Sequence, residues 1–150
     1  MKYLSISPEL FIKNRLKLSQ QMTSNSIAVF NSNDVFSTGA DSTLPFEQHR
    51  NIFYLSGVDQ EESILIICPD AKEEALREIL FVKETNDHIA IWEGAKLSKS
   101  QATASSGIKT VYWLEEFESI FSKLMEDSTR FYYNNNEHYR QAVEMETRED

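Results

Sequence analysis

Three histidines, His49, His88 and His138, are the first residues of this 150-residue sequence that could bind a metal or transfer a proton. They lie in different segments. None has a second histidine four residues away, the spacing at which one helix face presents two metal ligands. Each histidine taken alone is more typical of a surface or supporting position. We therefore expect no metal site in this chain.

The acidic pairs Glu61–Glu62 and Glu115–Glu116 are the next candidates for chemistry. Adjacent side chains point in different directions, so neither pair has the local geometry of a general acid and a general base. Both pairs are typical of turns and solvated helix faces. We expect them to have no catalytic role.

A glycine-rich phosphate loop and a reactive thiol are the remaining candidates for chemistry. The four glycines are not spaced as the G-x-G-x-x-G loop that holds a phosphate. The single Cys68 follows an apolar run and is predicted to be a buried, unreactive thiol at the end of a strand. Taken residue by residue, the sequence predicts a folded module with no active site and no cofactor of its own.

Composition and charge limit the class of protein. With 41% hydrophobic residues the chain is expected to fold as one globular domain. It has 24 acidic and 15 basic residues, which are interspersed, so nucleic acid is not an expected partner. There is no run of about 18 apolar residues that would span a membrane, and the first residues lack the pattern of a secretion signal. We expect a cytoplasmic protein.

The first helix is predicted over residues 8–23, because Ser7 can cap it and Pro8 suits its first position. Three apolar residues spaced for a helix define its predicted inner face: Phe11, Leu18 and Met22. Three basic residues are assigned to its solvent face: Lys13, Arg15 and Lys17.

Short apolar runs alternate with further helix signals in the rest of the chain. The predicted strands are Ile27–Phe30, Ser63–Ile67, Ile79–Val82, Ile108–Tyr112 and Arg130–Tyr133, with Val35–Phe36 as a short additional strand. The predicted helices are a turn at 51–57, a capped helix at 98–106 and an amphipathic helix at 114–125. This alternation predicts an α/β fold: a single domain with a mixed central β-sheet flanked by helices.

The charged tail, residues 135–150, differs from the rest of the chain because its apolar support is thin. Tyr139, Val143 and Met145 could form the weak stripe of a helix. Such a helix has no core of its own, so it would need another surface to pack against.

A family resemblance rests on two pairs of segments in a fixed order. Residues 45–57 (PFEQHRNIFYLSG) followed by 62–67 (ESILII) form the first pair, and 80–83 (LFVK) followed by 91–97 (IWEGAKL) form the second. Together they resemble the N-terminal domain of aminopeptidase P, of the creatinase and prolidase family. With the first helix and the residues from Ile108 to Glu118, the resemblance covers nearly the whole chain.

The resemblance implies a two-domain parent protein. Residues 1–134 would be the N-terminal domain, and 135–150 would begin the linker to a C-terminal catalytic domain of pita-bread fold. That missing domain would hold two divalent metal ions, usually manganese, on two Asp, one His and two Glu residues. It would hydrolyse the bond between an N-terminal residue and proline. The implied partners of this chain are its own catalytic domain, peptides with proline in second position, and further copies in a homo-oligomer.

Three residues are assigned by the resemblance to substrate access or oligomer contact: Trp92, His49 and Arg50. In some relatives the equivalent tryptophan helps wall an active site, often one in a neighbouring subunit, and plain packing in the core is the open alternative for Trp92. The sequence departs from the family at Glu47, where many relatives have arginine, so the contacts of that arginine cannot be transferred. The aromatic residues Phe46, Phe53 and Tyr54 are interpreted as core.

Two other functions remain open from the sequence alone. Some relatives keep the two-domain fold, lack peptidase activity and bind proteins, so the chain could belong to a protein-binding module. A free-standing enzyme of flavodoxin-like shape is the weaker alternative, because the cofactor loop of such enzymes is absent from the sequence.

Overall fold

A computed structural model describes residues 6–32, 50–86, 88–89, 91 and 96–133. The helices with defined bounds are α1 (Pro8–Gln21), α2 (Arg50–Ser56), α3 (Lys99–Ser106) and α4 (Phe117–Asp127). The strands are β1 (Ser26–Asn31), β2 (Ile64–Ile67), β3 (Glu78–Val82), β4 (Thr110–Trp113) and β5 (Arg130–Tyr133). Short 3-10 turns occupy Glu74–Leu76 and Leu114–Glu116. Within the described ranges, no helix is long and apolar enough to cross a membrane.

The five strands form one mixed sheet in the order β4-β3-β2-β1-β5. Strand β2 is antiparallel to both of its neighbours, whereas β5 is parallel to β1 and β4 is parallel to β3. The four strands other than β2 therefore all end at the same side of the sheet, which we call the carboxyl edge. This arrangement confirms the predicted α/β domain with a mixed central sheet.

Both faces of the sheet are apolar, and helices pack on both. On the first face, α1, α2 and α3 cover a core that includes Ile52, Leu65 and Ile108, all with 0% exposure. On the second face, α4 covers a core that includes Ile66 and Phe81, also fully buried. The predicted strands are confirmed in place, although β4 begins at Thr110 because Ile108 packs under α3 before the strand starts. The predicted strand Val35–Phe36 lies outside the described residues.

The predicted helix starts are confirmed by their capping contacts. The hydroxyl of Ser7 accepts a hydrogen bond from the Glu9 amide at 3.3 Å. At the start of α3, the Ser98 hydroxyl accepts from the Gln101 amide at 3.1 Å, and the Gln101 side chain accepts from the Ser98 amide at 2.9 Å. This reciprocal pair satisfies two amide donors that a helix start would otherwise leave without partners.

Arg15 contradicts its predicted place on the solvent face of α1, because its side chain is fully buried. Its Nη1 donates to the carbonyl oxygen of Leu55 at 2.7 Å and to that of Ser106 at 2.8 Å. Its Nε lies 3.2 Å from Oε1 of Glu78. Burial lowers the pKa of Arg15, and Glu78 opposes that shift. The two hydrogen bonds of Nη1 to α2 and α3 and the charge of Glu78 on β3 compensate for only part of the lost water, because Nη2 is buried without a hydrogen-bond partner among the described residues.

The two helices that Arg15 contacts each end in a glycine with a left-handed backbone, Gly57 at φ 71° and Gly107 at φ 79°. A β-carbon at Gly57 would come within 2.4 Å of the Phe11 ring, and one at Gly107 within 2.6 Å of Ile12. Glycine is therefore required at both positions by backbone angle and by space. These close approaches let α1 lie directly against the ends of α2 and α3.

One prediction about the aromatic residues of α2 is wrong, because Tyr54 is not a core residue. Ile52 and Leu55 point into the core at 0% and 4% exposure, whereas Tyr54 is 53% exposed. Phe53 is half-buried and meets Phe11 edge-on, with ring centroids 6.1 Å apart. A two-turn helix on the sheet can bury one stripe of side chains, and Tyr54 falls outside that stripe. Phe46 lies outside the described residues.

We predict that Arg15→Met lowers the free energy of unfolding by about 3 kcal/mol, because two helix-end carbonyls would lose their buried donor. Chemical denaturation of the 150-residue chain measures the effect. The matched control is Lys13→Met on the exposed side of the same helix, which should change stability by less than about 0.5 kcal/mol. Equal effects of the two substitutions would contradict the role given to Arg15.

Candidate functional site at the carboxyl edge

Three chain segments begin at the carboxyl edge of the sheet, and two of them contain predicted site residues. Residues 33–49 follow β1, residues 83–98 follow β3, and the chain leaves β5 after Tyr133. Because β1, β3 and β5 all end at this edge, each of these segments starts there. Sites in open α/β sheets are typically built beyond the carboxyl ends of the strands. We therefore treat this edge as the candidate functional site.

Two of the three predicted site residues, His49 and Trp92, belong to these segments, and Arg50 directly follows the first segment. Trp92 and His49 lie outside the described residues, and Arg50 is the first residue of α2, with a side chain that is likewise outside the description. The exposed Ile91 next to Trp92 has 76% of its side chain accessible. The roles in substrate access and oligomer contact therefore stay predictions.

The loop at 57–63, between α2 and β2, holds both ends of the 83–98 segment. At one end, Lys83 pairs with Glu62, with 3.4 Å between Nζ and Oε2. At the other end, Lys96 forms a hydrogen-bonded ion pair with Glu61. The Leu97 amide also donates to the Gln60 side-chain oxygen at 2.9 Å. The segment that carries Trp92 is thus anchored on either side by one short loop.

These contacts refine the prediction for Glu61 and Glu62. The two carboxylates do lie in a turn and point in different directions, but each binds a lysine from an opposite end of the same segment. Glu62 has a left-handed backbone with φ 56°, which few residues other than glycine adopt. Local sequence carries no signal for these pairs, since the lysines are 21 and 35 positions away.

The Glu61–Lys96 pair has a defined electrostatic consequence. The hydrogen bond from Lys96 lowers the pKa of Glu61, and partial burial opposes that shift. Because the folded state holds the ionised carboxylate more strongly than the unfolded chain does, the pair stabilises the fold above the ordinary glutamate pKa. That contribution is lost as the pH falls through the lowered pKa of Glu61.

Acidic side chains also lie close together between the exit of β3 and the 3-10 turn at Leu114–Glu116. Glu115 raises the pKa of Glu84, first through side-chain hydrogen bonding and then through its like charge, while Lys99 opposes the shift. The Lys99 ammonium lies 4.8 Å from the centre of the Trp113 ring. Glu116 accepts a hydrogen bond from the Trp113 amide at 2.9 Å. Of these acids, Glu116 holds the turn between β4 and α4, whereas the neighbouring carboxylates of Glu84 and Glu115 disfavour each other's charge.

Metal-ligating and thiol side chains are the remaining candidates for chemistry. Across the ranges that the structure describes, no three His, Cys, Asp or Glu side chains lie close enough to bind a metal ion. Cys68 lies at the opposite edge with 4% exposure, as predicted, and burial raises the pKa of its thiol. A raised thiol pKa disfavours the nucleophilic thiolate. The described contacts at the carboxyl edge position chain segments.

Comparison with known proteins identifies the family. The family described as aminopeptidase P, N-terminal domain, matches residues 11–133. Since this match covers well over half of the sequence, the chain belongs to that family. The resemblance inferred from the sequence is thereby confirmed.

Curated relatives are consistent with this family and are much longer. The Xaa-Pro aminopeptidase of Haemophilus influenzae is 25% identical over 134 residues, which are 89% of this chain and 31% of the relative. Xaa-Pro aminopeptidase 3 of Homo sapiens is 28% identical over 116 residues, which are 76% of this chain and 23% of the relative. The chain spans less than a third of the length of either relative.

Solved structures confirm the fold. An aminopeptidase from Pseudomonas aeruginosa superposes with a TM-score of 0.79 over 92% of this chain and 31% of that chain, at 21% identity. Aminopeptidase P from Escherichia coli, in a low-pH form, superposes with a TM-score of 0.76 over 89% of this chain and 30% of that chain, at 23% identity. The described sheet and helices therefore correspond to about one third of each larger structure.

We predict that Lys96→Met raises the pKa of Glu61 toward its ordinary value, because the hydrogen bond from Lys96 is the largest cause of the lowered value. A carbon-13 NMR titration of the Glu61 carboxyl measures this directly. Lys83→Met is the matched control and should move the pKa less, because Lys83 acts on Glu61 only as a weaker neighbouring charge. An unchanged Glu61 pKa in Lys96→Met would show that the pair does not form in solution.

Proposed function

We propose that this chain is the non-catalytic N-terminal domain of a metal-dependent X-prolyl aminopeptidase. In this proposal it restricts access to an active site and supports oligomerisation. Hydrolysis of the bond between an N-terminal residue and proline occurs in a C-terminal domain outside this sequence, and the protein acts in the cytoplasm. The proposal rests mainly on the sheet topology. Strands β1, β3 and β5 all end at the carboxyl edge, so segments 33–49 and 83–98 begin at the same edge at which the chain leaves β5.

The length of the relatives supports a division of labour between domains. The named relatives are Xaa-Pro aminopeptidases, and this chain aligns with 31% and 23% of their length. The remaining two thirds or more would include the metal ligands, and two divalent ions, which we expect to be manganese, would activate water for attack on the peptide bond. The chain described here would shape the active-site cleft and limit access to it.

The anchoring of the 83–98 segment supports a role in access. A wall at the mouth of a cleft must keep its position, and Lys83 and Lys96 attach this segment to the 57–63 loop at both ends. Trp92 would provide a large apolar surface between these attachments, because an indole loses little conformational entropy when it is fixed. His49, in the segment between β1 and α2, and Arg50, the first residue of α2, would provide polar groups near the same edge.

Exposed apolar side chains on α1 support the oligomeric part of the proposal. Leu10 and Leu16 are 48% and 56% exposed, and Tyr54 on the adjacent α2 is 53% exposed. Each of these side chains would remove apolar surface from water if another protein covered it. In the proposed enzyme, that protein is a second copy.

We predict that the purified 150-residue chain hydrolyses no X-Pro peptide, with or without added manganese, because the proposed metal ligands lie outside it. A coupled assay that detects released proline measures the activity, and isothermal titration with Mn²⁺ should show no tight site. Turnover that survives repurification and is abolished by a chelator would contradict the non-catalytic role.

We further predict that Trp92→Ala in the longer enzyme raises KM or lowers kcat/KM for X-Pro peptides, because the wall of the cleft would lose its apolar surface. Metal content and thermal stability should stay nearly unchanged. Ile91→Ala is the matched control, because Ile91 is the exposed neighbour of Trp92. If Trp92→Ala instead unfolds the domain, Trp92 is a core residue. If neither kinetics nor folding changes, it has neither role.

A further inference from the structure

The ladder between β1 and β2 ends in a hydrogen bond to a side chain. Ser32 follows β1 and faces Ser63, which precedes β2, in the same register as the pairs before it. The Ser32 amide donates to the Ser63 carbonyl oxygen at 2.9 Å, whereas the Ser63 amide donates to the Ser32 hydroxyl at 3.0 Å. In a regular antiparallel pair, both of these bonds join main-chain groups. The hydroxyl of Ser32 thus takes the place of a main-chain acceptor at the point where β1 ends.

Ser63 continues this contact toward the start of α3. Its hydroxyl donates to the carbonyl oxygen of Gln60 at 2.9 Å, and the side-chain oxygen of Gln60 accepts from the Leu97 amide at 2.9 Å. We call Ser32, Ser63 and Gln60 the polar relay, and it joins the end of β1 to Leu97. Its three members are buried, with exposed fractions of 7%, 1% and 7%. Because a buried group that loses its partner has no water to replace it, breaking one of these bonds is costly.

Ser63 and Gln60 belong to one turn whose two ends are fixed. Before the turn, Val58 is fully buried, and its amide donates to the Ser56 hydroxyl at the end of α2 at 3.2 Å. After the turn, β2 begins at Ile64 between two strands of the sheet. The turn between these attachments is closed by the bond from the Ser63 hydroxyl. A bond lost at Ser63 must therefore be compensated within the turn that positions Gln60.

We propose that Ser63 and Gln60 are positioning residues that couple the start of the 33–49 segment to the end of the 83–98 segment. The relay meets the first segment at the end of β1 and the second just before α3. Hydrogen-bond networks carry energetic coupling between parts of a chain that are far apart in sequence, and such coupling is reciprocal. This role rests on the proposed function, because two of the residues assigned to substrate access belong to these segments.

Amide hydrogen exchange in the 150-residue chain tests the coupling with Ser32→Ala. The Leu97 amide should exchange about fivefold or more faster in this variant, because the change at Ser63 loosens the acceptor on Gln60. Each rate is divided by that of the Ile66 amide in the same variant, which removes any general loss of stability.

Ser26→Ala is the matched control, because Ser26 is a fully buried serine at the other end of β1, and its hydroxyl donates to the Thr23 carbonyl oxygen at 2.7 Å. It should leave the relative exchange rate of Leu97 unchanged. Equal acceleration in both variants, or none in Ser32→Ala, would overturn the coupling. In the unmodified chain, NMR should detect a scalar coupling through the hydrogen bond between the Leu97 nitrogen and the Gln60 side-chain carbonyl carbon. Its absence would overturn the relay itself.

The effect on substrate access is measured in the longer enzyme with Gln60→Ala. KM for X-Pro peptides should rise by about threefold or more while kcat stays nearly unchanged, because the relay positions the path of the peptide and not the reacting groups. An unchanged KM would overturn the positioning role. Failure of the proposed function is distinguishable, because the unmodified longer enzyme would then cleave no X-Pro peptide, whereas the exchange rates in the 150-residue chain would be unaffected.

Discussion

The buried guanidinium of Arg15 is the interaction on which the helical face of this domain depends. One nitrogen, Nη1, donates to the last-turn carbonyls of two different helices, at Leu55 and Ser106, and Nε faces Glu78 on β3. A fully buried cation is costly unless partners replace its water. Arginine suits the position because its planar group can donate in several directions at once, whereas lysine presents one compact charge. The contacts at Arg15 fix α2 and α3 relative to each other and to the sheet.

That constraint is transmitted along the chain to the candidate site. Gly57 follows α2 two residues after Leu55, whose carbonyl accepts from Arg15, and the loop that begins there carries Glu61 and Glu62. Those two carboxylates hold Lys96 and Lys83. The loop that anchors the segment with Trp92 therefore starts at the helix end that Arg15 holds.

The sequence predicted the sheet well because its strands are short, strongly apolar runs between clear turn signals. Ile64–Ile67 and Arg130–Tyr133 have the signature of strands without any tertiary information. The helix starts at Ser7 and Ser98 were also predictable, since a cap depends on residues within one turn.

Arg15 was misassigned because residue type was given more weight than spacing. It lies four residues after Phe11 and three before Leu18, so periodicity alone would have put it on the inner face of α1. The lysine partners of Glu61 and Glu62 are a different case, because a contact between positions far apart leaves no local pattern. The family resemblance predicted the fold correctly, but it gave no information about which acids anchor the 83–98 segment.

Amide hydrogen exchange on Arg15→Lys tests whether Arg15 holds the ends of α2 and α3, because lysine keeps the positive charge but lacks the planar guanidinium with its several donors. We expect at least about tenfold faster exchange at the helix-end amides of Gly57 and Gly107, with the central-strand amide of Ile66 still protected. Unchanged exchange at both glycines would contradict the claim that Arg15 holds the two helix ends. Equal loss of protection throughout the sheet would contradict the claim that its effect is local to them.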